Sequence, residues 1–225
     1  MRTVIFDLDG TLADTSGDLL AAANACFRAM GAGEVLSATR DAGVALRGGR
    51  AMLLAGLTRM GRDAGGVSDE VDRWYPVLLE EYAGALDRHT VLYPGAVAAL
   101  ETLLAEDFRI GVCTNKPEGL AQKLLVSLGV RDLFGSLVGA DTLPVRKPDP
   151  EPYAASVERA GGTVARSILI GDSDTDRATA RAAGVASVLV TFGPSGEDMA
   201  ALEPEVLLER YADLPGVARD LLGAA

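Results

Sequence analysis

The chain has 225 residues and a formal net charge of −11, and 48% of its residues are hydrophobic. That hydrophobic share is enough for a real core, whereas the acidic balance argues against binding nucleic acid or anionic membrane, since both need a basic surface. The two cysteines, Cys26 and Cys113, lack a CxxC spacing and a nearby histidine, so we expect no zinc site. Because a strand is expected from residue 3 and no apolar run reaches about 18 residues, we expect a soluble, cytoplasmic protein.

Short apolar runs rich in β-branched residues alternate with amphipathic helical patterns along most of the chain. The expected strands are 3–7, 109–114, 136–140, 167–172, 187–191 and 206–209. The helices expected between and after them are 95–106, 117–128, 150–160, 174–183 and a last one after Asp213. Gly129 and Gly184 stand where left-handed C-caps are expected. This alternation predicts an α/β fold, a doubly wound parallel sheet (a Rossmann-like core) with helices on both faces.

Residues from about 15 to 92 break the alternation, because they contain helical patterns only. The patterns cover 19–30, 37–45, 49–61 and 68–86, and Thr15–Asp18 is typical of a capping box in front of the first. Roughly eighty helical residues between two strands exceed an ordinary crossover. We therefore predict a core domain of residues 1–14 and 93–225, and an inserted helical cap domain of residues 15–92.

Polar and charged side chains follow four of the expected strands at their carboxyl ends, where open α/β sheets bind ligands. The first strand runs into Asp7 and Asp9, which point to the same face of an extended chain. Two carboxylates held close together need a cation, a shared proton or exposure to water. This pair alone is therefore as typical of an acidic surface turn as of a functional site. The later strand ends add a complementary set: Thr114, Asn115, Lys147, Asp172 and Asp176. Together these ends favour one site.

The sequence resembles the haloacid dehalogenase superfamily, specifically its phosphoglycolate phosphatase-like branch. Four segments carry the resemblance in the family's order: FDLDGTLADT, VCTN, KPDP and GDSDTDRATARAAG. The helical insert resembles the cap of that branch, and LYPGAVAALETL resembles the return from it. The resemblance implies a Mg²⁺-dependent phosphatase for a small phosphorylated metabolite, with phosphoglycolate as the leading candidate substrate.

The resemblance also assigns roles. Asp7 would be the nucleophile that forms an aspartyl-phosphate, and Asp9 the acid and base that serves the leaving group and then water. A carboxylate oxygen of Asp7, the backbone carbonyl of Asp9 and Asp172 would bind Mg²⁺, and Asp176 would support the loop and its lysine. Lys147 would compensate negative charge, and Thr114 and the backbone amide of Asn115 would donate to phosphate oxygens.

In this family the cap selects the substrate, so the glycine-flanked arginines Arg47 and Arg50 are candidates for binding a substrate carboxylate. Solvated loop arginines are the competing interpretation. A structural, hydrogen-bonded role is expected for His89, and only a secondary role for Lys116 at the start of a helix.

Three other activities are compatible with parts of this pattern. A dehalogenase is disfavoured because that branch lacks the second aspartate, here Asp9. Phosphotransfer like that of β-phosphoglucomutase, or hydrolysis of sugar phosphates, uses the same motifs and stays open. A receiver-like signalling or binding module would carry its phosphorylated aspartate after the third strand and would lack the insert. The sequence does not indicate an oligomeric state.

Overall fold

The computed structural model describes residues 1–62, 66–194 and 196–223. The chain divides into two compact units, one made of Met1–Asp14 with Leu92–Ala225 and the other of Thr15–Val91. The first is an α/β unit and the second is a helical unit, and the chain passes between them at two short strands.

The α/β unit is built on a six-stranded parallel sheet. In chain order, strands β1 to β8 are Thr3–Phe6, Ala13–Asp14, Val91–Leu92, Arg109–Cys113, Ser136–Val138, Ser167–Gly171, Ala186–Val190 and Val206–Leu208. The sheet order is β5-β4-β1-β6-β7-β8, so β1 lies between β4 and β6. Each of the six strands was expected from its apolar run.

Both faces of the sheet are covered by helices, which confirms the predicted doubly wound fold. Helices α1 to α9 are Ser16–Ala29, Ala38–Leu46, Gly49–Arg59, Val67–Ala83, Ala96–Ala105, Glu118–Ser127, Pro150–Arg159, Asp174–Ala183 and Leu214–Leu222. Val4 and Phe6 of β1 pack into the core beneath α5, α6 and α9, while Ile5 packs with α7 and α8. Successive residues of a strand face opposite sides, so a continuous apolar run supplies both layers.

Glycines end several of these helices in the expected way. Gly129 and Gly184 have φ of 72° and 69°, the left-handed conformation that a C-terminal cap requires. A residue with a Cβ would be strained there.

The helical unit contains α1 to α4, which pack on one another through small residues as well as large ones. Gly56 of α3 lies directly against the Phe27 ring of α1, so that a Cβ at residue 56 would overlap the ring. The buried carboxylate of Asp41 accepts hydrogen bonds from Arg59 at 2.9 and 3.1 Å, which joins α2 to α3.

The predicted capping box at Thr15–Asp18 is wrong. The Thr15 side chain does not cap α1, and within the described residues its buried hydroxyl has no hydrogen-bond partner. Asp18 instead accepts hydrogen bonds from the backbone N–H groups of His89 and Thr90 at 2.9–3.0 Å and from the Thr90 hydroxyl at 2.8 Å. It therefore links the first turn of α1 to the last residues of the helical unit. The side chain of His89 is exposed.

None of the helices in the described ranges has the length and apolar character needed to cross a membrane.

Candidate active site

The polar residues that follow neighbouring strands emerge side by side at one edge of the sheet. Phe6, the last residue of β1, is in register with Val112 of β4 and Ile170 of β6. Asp7 is consequently level with Cys113 and Gly171, the last residues of β4 and β6. Oxygens of the Asp7, Asp172 and Asp176 carboxylates are all within 4.8 Å of one another. The predicted acids of the first and fourth strand ends therefore form one cluster.

Lys147 places a buried ammonium group in this cluster. Its Nζ lies 3.0 Å from Asp7 Oδ1 and 2.6 Å from Asp176 Oδ1, and its side chain is 2% exposed. Burial by itself would lower the pKa of Lys147, but the carboxylates of Asp176 and Asp7 outweigh it and raise that pKa above its usual value. Lys147 is therefore a permanent positive charge beside Asp7.

Asp176, in the first turn of α8, is fully buried and holds the surrounding loop together. One carboxylate oxygen accepts from Lys147, and the other accepts from the Asp172 N–H at 3.2 Å and the Ser173 hydroxyl at 2.6 Å. Gly171 ends β6 directly beneath this carboxylate, and a Cβ at residue 171 would overlap it. The position of Asp172 thus depends on Asp176.

Asp7 and Asp172 are buried acids that lie close to other carboxylates. Burial raises the pKa of Asp7 to about 6; Lys147 opposes the rise, while Asp176 and Asp9 add to it. Burial also raises the pKa of Asp172 well above its usual value, and neighbouring Asp7 and Asp176 add to the rise. The Asp172 carboxylate accepts a hydrogen bond from the buried Thr11 hydroxyl at 3.1 Å. Thr11 was not among the predicted site residues, so this contact is an addition to the predicted site.

These residues fit a hard divalent cation. Among the described residues, buried Asp7 Oδ1 has no hydrogen-bond donor, because the Lys147 ammonium approaches it as an ion pair outside hydrogen-bond geometry. Asp176 is committed to Lys147, Ser173 and the loop, so Asp7 and Asp172 are the carboxylates left to act as ligands. A cation bound between them would offset both the burial of their charges and their mutual repulsion, the two effects that raise their pKa values. Carboxylate oxygens are the ligands such ions prefer.

The residues that follow β4 make contacts that the sequence did not predict. Asn115 donates its side-chain amide to the Lys147 carbonyl oxygen at 3.0 Å, and the Thr114 hydroxyl accepts from the Lys116 N–H at 3.2 Å. Lys116 was expected to have a secondary role only. Its buried ammonium lies 2.8 Å from Asp9 Oδ1, so it belongs to the site itself.

Arg47 and Arg50 belong to the helical unit, and they differ from each other. Arg50 donates to Asp72 at 2.5 Å and stacks its guanidinium over the Tyr75 ring at 4.7 Å from the centroid. Arg47 is exposed at the end of α2, and within the described residues its guanidinium has no hydrogen-bond or ion-pair partner. Arg47 is consequently the arginine with its charge available, while binding of a substrate by either one stays a prediction.

A parallel α/β sheet with two acids after an inner strand, a buried lysine and further acids at a neighbouring strand end is the arrangement expected of a hydrolase that reacts through a strand-end carboxylate. The family model for haloacid dehalogenase-like hydrolases matches residues 1–184. The chain therefore belongs to this family, which confirms the resemblance that its four motifs carry.

Individual relatives cover nearly the whole chain. A phosphoglycolate phosphatase of Agrobacterium fabrum is 37% identical over 93% of this chain and 89% of its own length. One of Rhodospirillum rubrum is 38% identical over 99% of this chain and 95% of its own. The crystal structure of a predicted phosphoglycolate phosphatase from Haemophilus somnus 129PT has a TM-score of 0.83 at 25% identity, with 96% of this chain and 97% of that chain covered.

Proposed function

We propose that this hydrolase is a Mg²⁺-dependent phosphatase that cleaves phosphoglycolate, or a closely similar small phosphate ester, in the cytoplasm. Two curated relatives that share 37% and 38% identity with it are phosphoglycolate phosphatases. The observation that carries the proposal is the arrangement of the two aspartates after β1. Asp7 contacts the ammonium of Lys147, and Asp9 contacts that of Lys116, so that each acid has its own fixed cation.

The two aspartates would perform the two halves of the reaction. The Asp7 carboxylate attacks phosphorus; a bond forms between its oxygen and phosphorus as the bond from phosphorus to the leaving oxygen breaks. Asp9 gives its proton to that leaving oxygen. In the second half, Asp9 takes a proton from water as the water attacks the aspartyl-phosphate, which releases inorganic phosphate and restores Asp7.

The remaining residues would stabilise charge and orient the phosphate. Lys147 offsets negative charge on the phosphate oxygens, and the Thr114 hydroxyl and the backbone N–H of Asn115 donate to them. Asp7, the backbone carbonyl of Asp9 and Asp172 would hold Mg²⁺, which when bound supplies further positive charge at the phosphate. Asp176 keeps Lys147 and the Asp172 loop in place.

Arg47 is the residue of the helical unit that we assign to the substrate carboxylate. Arg50 is already engaged by Asp72 and Tyr75, whereas Arg47 has no such partner among the described residues. A charge-assisted hydrogen bond contributes about 1.5–3 kcal/mol, so its loss would lower kcat/KM by roughly 10–150-fold.

The proposal is tested by measuring phosphate release from a panel of small phosphate esters with and without Mg²⁺. We expect phosphoglycolate to have the highest kcat/KM, and Asp7→Asn or chelation of the metal to abolish turnover. The matched control is Asp174→Asn, because Asp174 is an exposed acid of the same motif region. Undiminished hydrolysis of p-nitrophenyl phosphate by Asp7→Asn would refute the mechanism. Recovery of an isomerised sugar phosphate, in place of inorganic phosphate, would identify a mutase.

The Arg47 assignment has its own test, which is Arg47→Met with Arg73→Met as the control at another exposed arginine of the helical unit. We expect kcat/KM to fall for phosphoglycolate and to stay unchanged for neutral sugar phosphates. Equal losses on both substrates would contradict a carboxylate-binding role.

A further inference from the structure

The Lys116 ammonium is held rigidly beside Asp9. Its side chain is 3% exposed, and Nζ lies 2.8 Å from Asp9 Oδ1. The backbone of the same residue is held on both sides, because its N–H donates to the Thr114 hydroxyl at 3.2 Å and its carbonyl accepts from the Ala140 N–H at 3.0 Å. The lysine therefore starts from a rigid point at the end of β4.

An ammonium group this deeply buried needs an anion, because desolvating an unpaired charge costs several kcal/mol. For the same reason, the pair constrains its partner. The Asp9 side chain is 15% exposed and has its own χ1 and χ2 freedom, so without a partner it could populate several rotamers. The contact with Lys116 selects the rotamer in which Oδ1 points to the ammonium.

We infer that Lys116 is a positioning residue for Asp9: its buried ammonium holds the Asp9 carboxylate in the orientation from which it exchanges protons with the leaving oxygen and with water. This inference rests on the proposed function. Lys147 has the corresponding contact with Asp7, so the nucleophile and the proton carrier are oriented by separate lysines. Lys116 itself transfers no proton and forms no bond with the substrate.

A positioning role has a specific kinetic signature. A general acid must come within about 2.6–3.2 Å of the atom it protonates, whereas the phosphate is bound by other groups. Loss of Lys116 should consequently lower kcat and leave KM nearly unchanged. The loss should be larger for alkyl phosphates, whose alkoxides need a proton to leave, than for p-nitrophenyl phosphate, whose phenolate leaves without one.

The experiment is a double-mutant cycle of Lys116→Met and Asp9→Asn, measured as kcat and kcat/KM with phosphoglycolate and p-nitrophenyl phosphate. Lys123→Met, an exposed lysine on α6, is the control. Because general acid–base catalysis contributes about 10²–10⁴-fold, we expect Lys116→Met alone to lose roughly 10–100-fold in kcat with phosphoglycolate. In the Asp9→Asn background the same substitution should change kcat less than about twofold, since the group it orients is gone.

Lys116→Arg should restore part of the lost kcat, because it returns a cation that can reach Asp9. Two results would overturn the inference: full losses that multiply in the double variant, and a change confined to KM. A KM change seen with phosphoglycolate alone would indicate that Lys116 binds the substrate carboxylate directly.

A crystal structure of Lys116→Met separates this inference from the proposed function. If the unmodified enzyme hydrolyses neither ester, the proposed function is wrong, and the structure still decides the role of Lys116. We expect the Asp9 carboxylate to leave its position or to occupy more than one rotamer. An unmoved, single Asp9 rotamer would contradict the inference whatever the kinetics.

Discussion

Replacing Asp18 with asparagine changes one atom of the contact between the first turn of α1 and residues 89 and 90. It tests how much this contact contributes to the stability of the helical unit. Asp18 is 2% exposed. Its Oδ2 accepts three hydrogen bonds, from the N–H groups of His89 and Thr90 and from the Thr90 hydroxyl, and its Oδ1 accepts a further one from the His89 N–H. An asparagine whose oxygen occupies the Oδ2 position keeps these three contacts as neutral hydrogen bonds. Its amide then faces the His89 N–H, 3.0 Å from where Oδ1 had been.

The expected cost follows from those contacts. A hydrogen bond to a charged acceptor contributes about 1.5–3 kcal/mol and one to a neutral acceptor about 0.5–1.5 kcal/mol. Three donors that each lose roughly 1 kcal/mol, with one donor now facing another, give a destabilisation of about 3 kcal/mol. Since 1 kcal/mol shifts Tm by about 2–4 °C in a chain of 150–250 residues, Tm should fall by about 6–12 °C.

The measurement is thermal unfolding of Asp18→Asn by far-UV circular dichroism, with Glu80→Gln as a control at an exposed acid of α4. Thr90→Val, which removes only the hydroxyl, should cost about 1 kcal/mol. An Asp18→Asn protein whose Tm matches that of the control would refute the claim that this carboxylate stabilises the unit.

Two further predictions concern packing and pH. Gly139→Ala should destabilise the α/β unit by about 1–3 kcal/mol because the new Cβ would overlap the Glu118 backbone, whereas Gly119→Ala, with open space around it, should not; equal denaturant midpoints would contradict this. Hydrogen bonds from Arg59 hold the pKa of Asp41 well below its usual 3.8, against the effect of burial. The stabilisation is therefore present above about pH 4 and lost as the pH falls below it, and Arg59→Met should flatten that dependence in acid denaturation.

The sheet, and the grouping of the candidate-site acids at one edge of it, could be predicted from the sequence because both depend on local patterns. An apolar run such as 3–7 supplies both faces of a buried strand, and parallel strands bring their carboxyl ends to one edge. Asp7, Lys147 and Asp172 were therefore predictable from their places after strands, without knowledge of any individual contact.

The contacts that the sequence did not predict join residues far apart in the chain. Lys116 and Asp9 are separated by 107 positions, and Asp18 and Thr90 by 72. Lysine has a long, flexible side chain, so its position at a helix start did not indicate where its ammonium lies. For Asp18, the local spacing matched a capping box, but its carboxylate accepts from the donors of His89 and Thr90 instead.

Gly171 illustrates how a catalytic arrangement limits the substitutions open to a chain. Nothing in its own backbone demands glycine, since its φ is not positive; the Asp176 carboxylate occupies the place where a side chain would be. Alanine at residue 171 becomes acceptable only after Asp176 has been replaced by something smaller, and that replacement removes one of the two carboxylates that contact Lys147. A substitution at residue 171 is therefore coupled, through Asp176, to the contacts of the lysine beside Asp7.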